Sequence, residues 1–138
     1  MNIYIDGIFD LFHAGHIQTL NYIKNKFSDC FLIVGVINDK DANDYKRKPI
    51  ISEESRYIML ENCKHVDKVI KNAPLNVTLD FVEKNKIDLV VHSFSDVNDR
   101  QKQLELFKDI IAANKFLEIP YSNKCSTSNI IKIIKDNY

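Results

Sequence analysis

Cys30-Phe31-Leu32-Ile33-Val34-Gly35-Val36-Ile37 is an unbroken apolar run, the pattern of a strand covered on both faces. The segments on either side alternate between strand and helix. Residues 2–6 form a short β-branched and aromatic strand bounded by Asp6-Gly7, and Ile17, Leu20, Ile23 and Phe27 then recur at helical spacing. After the apolar run, polar residues 38–48 read as a loop closed by Pro49. Ser52 caps the next helix without a full capping box, and Ile58, Met59 and Asn62 continue it. A strand over 66–70 follows, then a helix from its Thr78 cap to Lys84, and a strand over 87–91. Residues 101–114 place Leu104, Phe107, Ile110 and Ile111 on one helical stripe, and a strand over 116–119 ends before Pro120. Ser126 or Thr127 caps a last helix carrying Ile130, Ile131, Ile133 and Ile134. Such alternation implies parallel crossovers, and hence a three-layer α/β/α sandwich on a five-stranded parallel Rossmann-like sheet.

The 138 residues suit one domain over 1–138, since single domains commonly run to about 100–150 residues. With 45% hydrophobic residues a core forms without disulfides or a structural metal. Nineteen basic and 19 acidic side chains cancel. No whole-molecule field favours nucleic acid, and an anionic ligand must be held by local groups. Cys30, Cys63 and Cys125 are odd in number and far apart, which fits reduced cysteines in a cytoplasmic compartment. The chain enters its first strand within two residues, leaving no room for a signal peptide, and no apolar run approaches the roughly 18 residues of a membrane span.

In a parallel sheet, ligands sit beyond the carboxyl ends of the strands, where the strand order switches direction. The connections to inspect are therefore 6–16, 38–48, 72–76, 92–98 and 120–127. The first holds His13 and His16, three apart, with Gly15 between them. Two imidazoles at that spacing on a first helical turn share a side and can donate hydrogen bonds to a polyphosphate. Gly15 lets the backbone approach a ligand at the amide-bearing helix start. A zinc pair is the competing reading, but no other Cys or His has partner spacing.

The stretch Tyr4-Ile5-Asp6-Gly7-Ile8-Phe9-Asp10-Leu11-Phe12-His13-Ala14-Gly15-His16 closely resembles the signature of the cytidylyltransferases, close to those acting on phosphocholine and phosphoethanolamine. The resemblance covers nearly the whole chain, through Asn38-Asp39, Arg56-Tyr57, Asn72-Ala73-Pro74, Val91-His92 and Ser126-Thr127-Ser128. It implies that His13, His16 and Lys46 are catalytic on the triphosphate, with Arg47 or Lys48 able to share the lysine's task. It further implies nucleotide contacts at Gly7, Ile8, Phe9, Gly15, Arg56, Lys124, Ser126 and Thr127; a surface ion pair with Glu53 is the competing reading of Arg56, and helix capping that of Ser126 or Thr127. Asp6, His92, Phe94 and Asp96 are expected at the acceptor, Asp10 in a structural role, and Tyr4, Phe9 and Phe12 in the core.

Two departures bear on activity. The family's Arg-Thr-Glu-Gly before the final Ser-Thr is Tyr121-Ser122-Asn123-Lys124 here, which removes a bidentate guanidinium. The aromatic positions of the choline branch fall on Leu75 and on Ser93-Phe94-Ser95-Asp96, leaving Phe94 as the one ring and Asp96 as a partner for an amine. The resemblance implies attack by a phospho-alcohol on the α-phosphorus of CTP, with Mg²⁺ bridging the triphosphate and no metal ligated by the protein alone. It also implies a homodimer. With Tyr138 soon after the last helix, no lipid-regulated membrane tail is expected. Glycerol 3-phosphate as acceptor, ATP as donor and a catalytically weakened nucleotide-binding regulator are the other readings.

Overall fold

A computed structural model describes residues 1–122 and 125–138. Strands β1 (Asn2–Gly7), β2 (Phe31–Val36), β3 (Lys68–Lys71), β4 (Leu89–His92) and β5 (Phe116–Glu118) form one sheet in the order β3-β2-β1-β4-β5. Every pairing is parallel, as expected. Helix α1 (Ala14–Lys26) joins β1 to β2, and α2 (Asp39–Tyr45) and α3 (Glu53–Glu61) join β2 to β3. The chain then crosses back through α4 (Leu79–Lys84) to place β4 on the other side of β1. The strand order therefore reverses between β1 and β4, and that is where a ligand cleft opens.

The apolar run owes its continuity to two cores. Leu32, Val34 and Val36 pack with Ile3, Ile5, Leu20, Ile23, Tyr57 and Leu60 on the α1–α3 face. Ile33 points the other way, with Tyr4, Val82, Val90, Phe107 and Ile110. Each fully buried aliphatic side chain contributes about 1.5–3 kcal/mol, so neither face tolerates a polar residue. Gly35 interrupts the side chains of β2 because a Cβ there would lie 2.1 Å from the Tyr4 hydroxyl.

Two segments differ from the sequence reading. Residues 38–48 are not all loop: α2 occupies Asp39–Tyr45, with Asn38 Oδ1 accepting from Asp41 N at 2.7 Å. Only Ala42 of this helix is buried, against Ile37 and Ala73, so no apolar period marks it. The stripe over 101–114 is not one helix either. Helix α5 (Val97–Leu104) starts early on an Asp96 cap, a 3₁₀ turn spans Glu105–Phe107, and α6 (Lys108–Ala112) follows. The break comes where the Leu106 carbonyl accepts from Val77 N at 3.1 Å, a bond leading out of the helix. After β5, α7 (Thr127–Asn137) closes the chain; Ser126 is its cap, accepting from Asn129 N at 3.1 Å. Among the described residues, no helix is long and apolar enough to cross a membrane.

Candidate active site

Between β1 and α1 the backbone passes through two left-handed residues that are not glycine, Phe9 (φ 56°) and Leu11 (φ 53°). Each such residue costs about 1 kcal/mol or more, so the turn must be held from outside. Asp10 does much of this. Its carboxylate accepts from Leu11 N, Ile50 N and Ile51 N at 3.1, 2.8 and 2.9 Å, and its carbonyl accepts from the Thr127 hydroxyl at 3.0 Å. Arg56, 1% exposed, secures the other side. It donates to the carbonyls of Ile51 (3.0 Å), Ile8 (2.7 Å) and Ile37 (2.7 Å), and to the Asp39 carboxylate at 2.7 Å.

The held turn delivers His13 and His16 as a reciprocal cap of α1. His13 Nδ1 accepts from Gly15 N at 3.1 Å, and His16 Nδ1 accepts from His13 N at 3.2 Å. These bonds assign the tautomer: a nitrogen that accepts carries no proton, so both rings carry theirs on Nε2. His13 Nε2 lies 3.3 Å from Thr127 Oγ1, whose own proton is given to Asp10. The rings stack 3.9 Å apart. Burial, then the neighbouring His13, push His16 down to about 3 against the pull of Asp10, and burial lowers His13 also. At neutral pH the pair therefore offers two uncharged N–H donors.

These donors face a cavity of about 440 Å³ at the carboxyl ends of β1 and β4. Lys46, Arg47 and Tyr45, at the end of α2, line it as well. So do Ser126, Thr127 and Ser128 at the start of α7, with Arg47 Nη1 3.4 Å from Ser128 Oγ. Gly15 is needed for closeness within the protein, because a Cβ there would lie 2.6 Å from the Cys125 carbonyl. It seats the loop before α7 against α1.

The opposite end of the cavity is acidic. Asp6 shares its face of β1 with Tyr4, and His92 ends β4. His92 Nδ1 lies 3.2 Å from Asp6 Oδ1 but out of line for a hydrogen bond. His92 Nε2 is 3.0 Å from Gln103 Oε1, and Gln103 Nε2 donates to Asp99 Oδ1 at 2.6 Å. Burial works against the Asp99 charge. Hydrogen bonds from Ser95 and Gln103, with Lys46 nearby, nevertheless hold its carboxyl below the usual range. Burial, then the charges of Asp99 and Asp6, push the Tyr45 phenol up to about 12.

The structure thus brings His13, His16 and Lys46 to one cavity with Gly7, Ile8, Phe9 and Gly15. It brings Ser126, Thr127, Asp6 and His92 to the same cavity. Three expected residues stand outside. Arg56 spends its donors on backbone and Asp39, rather than on Glu53, whose carboxylate accepts from Asp39 N at 2.9 Å. Phe94 is buried against His92 and Phe116, away from the cavity. Asp96 is turned to Asp99 N at 2.8 Å as the α5 cap. Lys124 lies outside the described residues. Tyr45, Asp99 and Gln103 line the cavity without having been anticipated. Asp99 and Gln103, four apart, would have been visible had α5 been started at its Asp96 cap. Among the described residues, no group of three or more His, Cys, Asp or Glu is placed to hold a metal ion.

Comparison with known proteins fits this geometry. The profile of the cytidylyltransferase-like family matches residues 4–133. Choline-phosphate cytidylyltransferase 2 of Arabidopsis thaliana is 38% identical over 140 residues, 99% of this chain and 45% of that protein. The ethanolamine-phosphate cytidylyltransferase of the same plant is 34% identical over 140 residues, 99% of this chain and 33% of that protein. The chain thus spans less than half the length of these curated relatives. The crystal structure of a lipopolysaccharide core biosynthesis protein from Thermoplasma volcanium superposes with a TM-score of 0.67 at 25% identity, covering 91% of this chain and 98% of that one. The profile runs from β1 into α7 and takes in both ends of the cavity, so the chain belongs to the cytidylyltransferase-like family.

Proposed function

We propose that the chain transfers CMP from magnesium–CTP to a phosphorylated amino alcohol. A phosphate oxygen of the acceptor bonds to the α-phosphorus of CTP, the bond from that phosphorus to the bridging oxygen breaks, and pyrophosphate leaves with the electron pair. A CDP-alcohol is the other product. The observation carrying this reading is the pair of imidazoles locked as neutral Nε2–H donors in one cavity with Lys46 and the start of α7. Fixed donors aimed at developing charge need no reorganisation during the reaction, and such transfers require positioning more than covalent help.

His13 and His16 donate to the triphosphate, Lys46 adds a positive charge, and the α7 amides with Ser128 hold further phosphate oxygens. Arg47, beside Ser128, brings a guanidinium to the helix end where Tyr121 replaces the family's arginine. Mg²⁺ would enter as part of the nucleotide: the imidazole Nδ1 atoms are used in the cap, the Asp10 carboxylate is used on the amides of Leu11, Ile50 and Ile51, and Asp6 and Asp99 lie at the far end of the cavity, so triphosphate oxygens would supply its ligands. When bound, it would offset charge on the leaving pyrophosphate. Curated relatives acting on choline phosphate and ethanolamine phosphate support the acceptor class.

The decisive measurement is pyrophosphate release by His16→Ala. Loss of one fixed donor should lower kcat about 10²–10³-fold, and near-normal turnover would end the assignment. A cytoplasmic homodimer belongs to the same reading. It is supported by free Cys30, Cys63 and Cys125, and by an apolar groove of Phe12, Ile17, Ile58, Met59 and Cys63. Light scattering that returns the 16.1 kDa of a single chain at micromolar concentration would remove the dimer.

A further inference from the structure

At the acidic end of the cavity, several polar groups have no hydrogen-bond partner among the described residues. Asp6 is 8% exposed, lines the cavity, and among the described residues accepts no hydrogen bond, with His92 Nδ1 3.2 Å away but out of line. The Tyr45 side chain also lines the cavity, with its hydroxyl buried beneath the surface and without a partner among the described residues. It is close enough to both Asp6 and Asp99 to feel their charges. A buried acceptor without a donor is costly, and two carboxylates beside it add repulsion that a cation would relieve.

Two kinds of cation meet such a site differently. An ammonium with N–H bonds donates to the acceptors while neutralising them. A quaternary ammonium donates nothing and depends on aromatic faces. The ring faces at this end are occupied. Lys102 Nζ lies 4.5 Å from the centre of the Tyr45 ring, and Phe107 packs against His92 at 4.9 Å and Phe116 at 5.1 Å. Phe9 is packed edge-on with Phe12 and His16. Leu75 is aliphatic.

Resting on the cytidylyltransferase reading above, we propose that Asp6, Tyr45 and the Asp99–Gln103 pair form a head-group site selecting an acceptor whose ammonium carries N–H bonds, a 2-aminoethyl phosphate, over its trimethylated counterpart. The Tyr45 hydroxyl accepts one N–H, the Asp6 carboxylate a second, and Asp99 balances the remaining charge across the pocket.

The test follows pyrophosphate release from magnesium–CTP with phosphoethanolamine, its N-methyl and N,N-dimethyl derivatives, and phosphocholine. kcat/KM should fall along the series and be at least about tenfold lower for phosphocholine, the loss expected when buried acceptors go unmet. Tyr45→Phe keeps the ring under Lys102 and removes only the hydroxyl. It should narrow that ratio several-fold by raising KM for phosphoethanolamine while KM for CTP stays put. Equal or faster turnover of phosphocholine by the wild type would overturn the selectivity and leave cytidylyl transfer standing. An unchanged ratio in Tyr45→Phe would overturn the part given to the hydroxyl. Pyrophosphate release with none of the four acceptors would overturn both readings.

Discussion

His13 and His16 each use Nδ1 in the cap and carry their proton on Nε2 at the cavity, where that of His13 also meets Thr127 Oγ1 at 3.3 Å. Serine or glutamate side chains usually fill these capping roles, but neither ends in a rigid ring with a second nitrogen to present. The cap therefore fixes both tautomer and aim. Gly15 is a second residue with a double constraint, since α1 and the loop before α7 meet over it. Gly15→Ala must displace the Cys125 carbonyl, so a loss of about 1–3 kcal/mol is expected in urea unfolding. KM for CTP should rise as well, because the α7 end moves. An alanine variant with wild-type stability and KM would show that this contact is not rigid.

At the scale of elements, α2 and α5 supply what the β-strands cannot. Helix α2 sets Tyr45 and Lys46 over the cleft, and α5 sets Asp99 and Gln103 against His92. Both are short, and α5 buries no residue, so caps and side-chain bonds hold them more than core packing. Asn38 caps α2 and also bonds the Asn72 side chain just past β3. Asn38→Ala should cost about 1 kcal/mol, and it should raise KM for acceptor and nucleotide together because Tyr45 and Lys46 travel with the helix. A thermal melt with parallel steady-state kinetics checks both; a change in neither would mean that α2 is held by Ala42 alone.

Across the whole molecule, the reversal of strand order between β1 and β4 opens a single cavity that receives side chains from both faces of the sheet. One end is rich in N–H donors and the other in acceptors, a division suited to a triphosphate and an amine. The depressed His16 also marks stability. Its folded value near 3 lies below the unfolded value near 6.5, so the unfolded chain binds the proton more readily. Its contribution is fully present above about pH 6.5 and is lost as the pH falls towards 3, at up to about 1.4 kcal/mol per pH unit for one proton. Urea midpoints between pH 7 and 4 should therefore fall, and His16→Asn should flatten part of that slope. A slope identical in wild type and variant would assign the acid loss to other groups.

Local pattern was enough to read the alternation of elements, the parallel sheet and the His13–His16 turn, because burial on both faces and helix-capping chemistry are written in neighbouring residues. Helix α2 escaped because one buried alanine makes no period, and the break after α5 escaped because a carbonyl bond to Val77 causes it. Resemblance implies Arg56, Phe94 and Asp96 at the ligand, whereas the fold commits Arg56 to backbone carbonyls, Phe94 to the core and Asp96 to the local cap of α5. Which polar groups face a cavity depends on what else competes for their hydrogen bonds. Those competitors, Ile8 and Ile37 for Arg56 or Gln103 for His92, lie 11 to 48 positions away along the chain, and only folding brings them within reach.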